Sequence, residues 1–375
     1  MDLQEFRKRI DEIDEKIVEL YEQRMKISED VAEYKIANSK NVLDSEREKS
    51  KLLHLRELAS DDFNANGITE MFELIMSMSR KKQYQLMADR GIFGRTPFIP
   101  VDKLYTRNAK VVYQGINGAY SEAATVAFFG EDVKAHSVST FREAMRSIDE
   151  GTADYAVLPI ENSSSGTVNA NYDLLTEFEN YIVAEQVINI DNCLIALPGA
   201  TEKDIDTVYS HPQALLQCET FLDEHPLWKQ ISYSNTAMSA EKISRDGLKN
   251  QAAIAGERAA NVYGLQVLKR DINSSDGNST RFIIVTNQKI FVQDAKKISI
   301  CFEIPHRSGS LYRILSHFIY NDLNMCNIES RPIPDRPWEY RFFIDFDGNL
   351  NEPSTKNAIR GLREEARNLR ILGNY

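Results

Sequence analysis

Proline is missing from the first 88 residues of this 375-residue chain, and glycine occurs there once, at Gly67. With neither helix breaker to interrupt it, that segment is expected to be all-helical. Cysteine is scarce too: Cys193, Cys218, Cys301 and Cys326 form no C-x-x-C pair and have no histidine at ligand spacing. This excludes a disulfide scaffold and a metal module and fits a reducing, cytoplasmic setting. No apolar run approaches the roughly 20 residues of a spanning helix, and the opening MDLQEFRKRIDEIDEK lacks a signal peptide's apolar core. Basic residues are outnumbered, 45 Lys+Arg against 56 Asp+Glu for a net charge of −11. Neither nucleic acid nor an anionic membrane is then expected as the main partner. The 42% of apolar residues suffices for packed cores, over a length that suggests two or three domains at roughly 100–200 residues each.

The pattern changes character twice. Residues 1–88 carry dense helical periodicity, and 89–105 (DRGIFGRTPFIPVDKLY) reads as a linker with two prolines and two glycines. Over 106–289, short β-like runs such as KVVYQ, DYAVLPI and RFIIVT alternate with helical stretches, which predicts an α/β domain with a largely parallel sheet. Over 296–375 the order becomes strand–helix–strand–strand–helix–strand, the split ferredoxin-like α+β arrangement.

Polar residues interrupt the helical stripes. Phe6, Ile10, Ile13, Ile17, Leu20, Ile27, Val31 and Tyr34 form an a/d-like row, and Arg24 occupies the row's vacant position. Lys35 follows Arg24 by eleven residues, almost the same face and about 16 Å further along. In the third helix Ser79 and Gln83 continue the row begun by Ile68, Phe72 and Ile75. Between these helices Asp44 suits an N-cap, with Arg47 and Glu48 one turn on. Each has an ordinary reading: Arg24 pairing with a core glutamate or fixing register, Lys35 solvated, Arg47 and Glu48 on an exposed charged face, Ser79 and Gln83 a polar seam. Together, cations and neutral donors inside a helical core imply a buried anionic ligand. Arg7 precedes Arg24 by 17 residues, about 25 Å of helix, so both reach one small ligand only if Arg7 comes from a second copy, as in an intertwined dimer.

On FRKRIDEIDEKIVELYEQR, AEYK, DSERE and the later Ser and Gln, the segment resembles the helical chorismate mutases. The resemblance implies a chorismate site made of Arg7, Arg24, Lys35, Asp44, Arg47, Glu48, Ser79 and Gln83. Chorismate, a dicarboxylate, would rearrange to prephenate without nucleophile, metal or cofactor, by being held in its compact conformer while charge on the breaking ether oxygen is stabilised. Arg24 and the second copy's Arg7 would hold the carboxylates. Lys35 and Gln83 would face the ether oxygen, Glu48 the substrate hydroxyl, and Arg47 and Asp44 would order the wall.

In the α/β segment, YQGINGAYSEAA, LPIENSSSGTVNANYDLL, SHPQALLQCE and GNSTRFIIVT place hydroxyls and amides at strand-to-helix turns. Such turns suit carboxylates, although each one alone is ordinary N-capping. These stretches resemble prephenate dehydratase, whose domain is two α/β lobes like type II periplasmic binding proteins. The implied reaction removes carbon dioxide and hydroxide from prephenate, giving phenylpyruvate. Thr280 would stand near the leaving hydroxyl with Arg281 and Phe282 shaping the site, and Glu161, Asn162, Ser163, His211, Gln213 and Thr236 would form the wall. The turn Gly115–Ser121 lacks the threonine that the family has there.

Residues 296–375 resemble an ACT domain, a small-molecule sensor that commonly binds amino acids between paired copies. Arg307-Ser308-Gly309-Ser310-Leu311 and Glu329-Ser330-Arg331-Pro332 carry the match, implying phenylalanine as effector at Gly309, Ser310, Leu311, Glu329, Ser330 and Arg331. The three modules together imply a homo-oligomeric bifunctional enzyme, a dimer or dimer of dimers. A non-catalytic sensor, or a dehydratase preferring arogenate, stands as the alternative.

Overall fold

Thirty-five residues without proline or glycine form the unbroken helix α1 (Leu3–Ala37), capped by Asp2, whose side chain accepts from the Glu5 amide at 2.9 Å. Asp44 and Asp61 cap α2 (Ser45–Glu57) and α3 (Asp62–Asp89) in the same way. In this computed structural model, which describes residues 2–92, 97–275, 277–306 and 309–375, the three helices form one unit with Lys296–Ile371. Phe98–Ala295 and Leu372–Tyr375 form the other.

Helix α3 packs against both α1 and α2. The face that α1 buries is not the expected apolar row. Ser28 and Ala32 are buried, and Arg24 and Met25 half-buried, whereas Phe6, Ile13 and Leu20 are 47%, 55% and 64% exposed. The row is real but finds no partner among the described residues, because α3 meets the neighbouring face.

The second unit consists of two lobes. The chain runs through β1 (Ile99–Val101), β2 (Lys110–Gln114), α4 (Tyr120–Phe129), β3 (Lys134–Val138), α5 (Phe141–Asp149), β4 (Tyr155–Asn162), β5 (Gly166–Thr167), α6 (Asn169–Glu177) and β6 (Tyr181–Asn189). It then crosses over and builds β7 (Cys193–Ala196), β8 (Thr207–Ser210), α7 (Pro212–Gln217), α8 (Glu219–Asp223), β9 (Lys229–Ser232), α9 (Thr236–Asp246), β10 (Gln251–Ala255), α10 (Glu257–Tyr263) and β11 (Gln266–Lys269). Finally β12 (Ser279–Thr286) returns to the first lobe, and β13 (Ile290–Val292) pairs with β1.

Strand orders within this unit are β6-β12-β4-β2-β3 and β11-β7-β10-β8-β9. The expectation of a largely parallel sheet is corrected here. Strand β12 runs antiparallel to β4 and β6, and β7 antiparallel to β10 and β11. Strand–helix–strand crossovers give the parallel pairs β2·β3, β2·β4, β8·β10 and β8·β9. The segments that carry the chain between lobes enter each sheet from the opposite end, so they run against the rest. Val111, Val157, Phe282 and Ile284 fill one core, and Leu194, Val208 and Ile254 another.

The last segment runs β14 (Lys297–Glu303), α11 (Ser310–Ile319), β15 (Met325–Pro332), β16 (Tyr340–Asp347), α12 (Pro353–Glu365) and β17 (Arg367–Asn374), with strand order β15-β16-β14-β17. Phe302, Phe318, Phe343 and Phe346 are fully buried there, each contributing roughly 1.5–3 kcal/mol. Helix α12 packs on both α11 and α3. Among the described residues no helix is long and apolar enough to cross a membrane.

Candidate functional sites

Helices α1 and α3 meet through polar groups. Arg24 Nη1 donates to Ser79 Oγ at 2.5 Å and reaches the Ile75 carbonyl at 3.5 Å. Ser28 Oγ donates to the Ser79 carbonyl at 3.3 Å and accepts from Gln83 Nε2 at 3.2 Å. Lys35 Nζ donates to the Val42 carbonyl at 2.5 Å. Both cations therefore meet only neutral acceptors. Burial pulls the Arg24 guanidinium below its ordinary value, opposed by the charge of Glu48 and by Tyr21. Burial does the same to Lys35, against the pull of Asp44, Glu364 and Glu48 and helped by Arg47. Two half-buried cations without a bound carboxylate form a pair that an anion would relieve.

The remaining members divide. Asp44 caps α2, accepting from the Arg47 amide at 3.1 Å, and the Arg47 side chain is exposed. Glu48 is held by Arg80, whose Nη1 lies 2.6 Å from both carboxylate oxygens. Arg7 is not brought to this group, since α1 runs unbroken through both Arg7 and Arg24 and keeps them about 25 Å apart. Arg80 is the residue that sequence reasoning missed. It is 7% exposed, yet in MSRKKQ it reads as part of a surface charge run. Its one signal was its place next to Ser79, and the roughly 100° of helix rotation between them takes it off the marked row.

The α/β unit contains a cleft of about 280 Å³ that brings together Asn162, His211, Gln213, Thr236, Thr280 and Phe282. Among the described residues no Asp, Glu, Lys or Arg lines it. Instead the N-caps of four helices do: Ala119 of α4, Val168 of α6, His211 of α7 and Asn235 of α9. Ala119 and Val168 provide no side-chain cap, so the first-turn amides there lack the partner that a capping oxygen would supply. Helix dipoles and amides thus offer an anion the favourable potential that a salt bridge would otherwise give.

Asn162 organises the cleft floor. Its Oδ1 accepts from the Ser164 and Ser165 amides at 3.1 and 2.9 Å, and also from both hydroxyls. A backbone amide can only donate, which fixes the orientation of the Asn162 side chain. Its Nδ2 must then donate to Thr280 Oγ1, at 2.9 Å. Thr280 is an acceptor in that bond, so its own proton is left to be donated elsewhere. His211 follows the same logic: Nδ1 accepts from the Gln213 amide at 3.2 Å, so the neutral ring carries its proton on Nε2. Burial pushes the Tyr120 hydroxyl far above its ordinary value, which keeps this cleft residue neutral.

Three expected wall residues lie elsewhere. Arg281 sits between Glu161 (3.3 Å) and Glu185 (3.4 Å), because alternation along β12 turns it to the face opposite Thr280 and Phe282. Glu161 goes with it, paired across the ladder. Ser163 ties two turns together, donating to the Gly277 carbonyl at 3.2 Å and accepting from the Ser279 amide at 2.9 Å. Tyr120, Asn192, Gln217 and Asn235 line the cleft unforeseen; of these only Asn235 had a readable signal, as a helix cap.

In the C-terminal segment Gly309, Ser310 and Leu311 line a cleft of about 270 Å³ with Trp338, Tyr340 and Phe342. Gly309 caps α11 at φ +72°, the left-handed region that glycine enters without strain. Glu329, Ser330 and Arg331 lie on β15, the outermost strand, opposite Phe343, Phe342 and Arg341 of β16, and do not line that cleft. Arg307 and Ser308 lie outside the described residues.

Comparison with known proteins finds matches for the helical and the α/β segments. The family model for chorismate mutase type II matches residues 6–84, and that for prephenate dehydratase matches residues 111–290. Among solved structures, the prephenate dehydratase of Arthrobacter aurescens in complex with L-Phe is 32% identical at a TM-score of 0.66, covering 71% of this chain and 89% of that one. A quorum-quenching acylase, GqqA, is 28% identical at the same TM-score, covering 71% and 97%; one fold can host several chemistries. The bifunctional chorismate mutase/prephenate dehydratase of Escherichia coli K12 is 32% identical over 98% of this chain and 95% of its own. With that similarity running the length of both chains, this protein belongs to the bifunctional chorismate mutase/prephenate dehydratase family, enzymes that rearrange chorismate to prephenate and convert it to phenylpyruvate in L-phenylalanine biosynthesis.

Proposed function

We propose that chorismate displaces the neutral contacts of Arg24 and Lys35, and that the site is completed by Arg7 of a second copy. The observation that carries this reading is the pair of half-buried cations whose hydrogen-bond partners, among the described residues, are neutral. In the rearrangement, Arg24 and the second copy's Arg7 would bind the two carboxylates and hold the chair-like conformer, while Lys35 and Gln83 donate to the ether oxygen. Glu48 accepts from the ring hydroxyl, and Asp44 and Arg47 order the start of α2.

The exposed row Phe6, Ile13, Ile17 and Leu20 supports the second copy as the occupant of that face, because the same helix carries Arg7. Ile13→Asp should convert the assembly to monomers in sedimentation velocity and remove mutase activity while the dehydratase rate on added prephenate persists. A dimer that survives the change with full mutase activity would refute this arrangement.

At the dehydratase cleft, the helix N-termini at Ala119, Val168 and Asn235 would receive the carboxylates of prephenate. Thr280 donates to the departing hydroxyl, its geometry held by Asn162. His211, with its proton on Nε2, is a neutral donor of the wall along with Gln213 and Thr236, and Phe282 supports the ring.

Phenylalanine is the effector we assign to the C-terminal segment, read as an ACT domain. The L-Phe-bound relative and the cleft at Gly309–Leu311 support it, with Glu329, Ser330 and Arg331 on β15, the last strand of its sheet. The direct experiment feeds the pure protein chorismate alone and follows phenylpyruvate with and without phenylalanine. Ser330→Ala and Arg331→Ala should keep the uninhibited rate but weaken phenylalanine binding by calorimetry about tenfold or more; unchanged binding would remove this assignment.

A further inference from the structure

The strongest feature left unused is a buried guanidinium that faces two carboxylates at once. Arg80 Nη1 donates to both oxygens of Glu48 at 2.6 Å, and its Nη2 donates to Glu365 Oε1 at 2.6 Å. Glu48 belongs to α2, Arg80 to α3 and Glu365 to the last turn of α12. We propose that Arg80 is a positioning residue of the mutase, fixing the Glu48 carboxylate, and that Glu365 anchors Arg80, so that the C-terminal segment forms part of the mutase site. This rests on the reading of Glu48 as the acceptor of the substrate hydroxyl.

The geometry fits that division of labour. Glu48 remains 27% exposed, whereas Arg80 and Glu365, which line the same open cleft of about 210 Å³, are only 9% and 13% exposed. Each Glu48 oxygen spends one lone pair on Arg80 and keeps another for a ligand. A planar guanidinium presents its donors as a rigid fork, so fixing one arm fixes the direction of the other. Glu365 fixes that arm, and His317 of α11 lies beside it, with Nε2 3.4 Å from Glu365 Oε1. Burial would raise the Glu365 carboxyl, but hydrogen bonds and charge from His317 and Arg80 outweigh it and pull the group down to about 2. The anchor is therefore ionised throughout the physiological range. Lys81, the other buried cation of this seam, is engaged separately by Ser316 Oγ at 2.7 Å and by the face of Tyr320.

A double-mutant cycle on the full-length protein tests this, using chorismate as substrate and added prephenate as the internal control. Arg80→Ala should lower mutase kcat roughly tenfold to a hundredfold with KM changed by less than about threefold. Arg80→Lys should recover part of the loss, and Glu365→Gln should cost several-fold. In a Glu48→Gln background the Arg80→Ala and Glu365→Gln effects should shrink to less than about twofold, because there is no longer a carboxylate to position. A merely structural role would give the same loss in both backgrounds, and that additivity would overturn the proposal. Full mutase activity in a folded Arg80→Ala protein would overturn it as well. Should Arg80→Ala fail to fold, judged by loss of prephenate turnover, the Arg80→Lys and Glu365→Gln arms carry the same cycle. If Glu48→Gln alone keeps the parental mutase rate, the role of Glu48 itself is wrong. Loss in Glu48→Gln without loss in the Arg80 variants condemns the positioning role alone.

Discussion

Arg24→Ala is expected to lower chorismate turnover on the order of a thousandfold while added prephenate is still dehydrated at the parental rate. The side chain reaches into the seam between α1 and α3, donates to a hydroxyl and a carbonyl, and has no carboxylate partner. Exchange of these neutral acceptors for a substrate carboxylate replaces an ordinary hydrogen bond by a charge-assisted one, and loss of one such preorganised donor costs roughly 10²–10³ in rate. The reaction has no nucleophile through which lost positioning could be recovered. If Arg24 merely set helix register, truncation would lower the melting temperature and leave kcat nearly unchanged. A near-parental mutase rate would therefore exclude it from the site.

Thr280→Ala should produce the reverse, with dehydration slowed roughly 10²–10⁴-fold, the range for loss of a positioned proton donor, and mutase activity retained. Asn162 sets the direction of that donor, because the Ser164 and Ser165 amides fix its orientation and its Nδ2 occupies the Thr280 oxygen as donor. Thr280→Ser keeps that oxygen and its proton and should retain most of the activity. Asn162→Ala should mimic part of the loss by freeing the hydroxyl to rotate. Equal loss of both activities in Thr280→Ala would point to misfolding. A serine variant as inactive as the alanine one would show that the hydroxyl has no part in the step. Neighbouring Arg281, flanked by Glu161 and Glu185, offers the cleft no free charge, so its replacement should affect stability more than turnover.

Much of the helical site was legible because helix periodicity projects sequence onto a face. Arg24, Ser79 and Gln83 stood out as polar residues on apolar rows, and in three dimensions they do share one hydrogen-bonded seam. Arg80 was hidden by the same rule. The row predicts which face is buried, but not that a neighbouring helix widens that face to take in the next residue. In the α/β unit the turns were readable as donors, yet Ser163 bonds a neighbouring turn instead of the cleft, and Glu161 and Arg281 were assigned to the cleft because adjacent residues in a strand look alike in one dimension. Alternation along β4 and β12 separates them, and which face is inward depends on the partner strands.

Composition and spacing alone thus determined the helical character of the first segment, the rows that single out its polar seam, and the turn chemistry of the α/β segment, but not that the helices join Lys296–Ile371 in one unit. These are local properties, set by backbone preference and by the period with which side chains return to one face. Strand direction, the charge-free cleft ringed by helix N-termini, and the shared guanidinium linking Glu48 to Glu365 were decided only by tertiary structure. Each depends on groups far apart in sequence, 317 positions from Glu48 to Glu365, and no local preference records which of them the folded chain will bring within 3 Å.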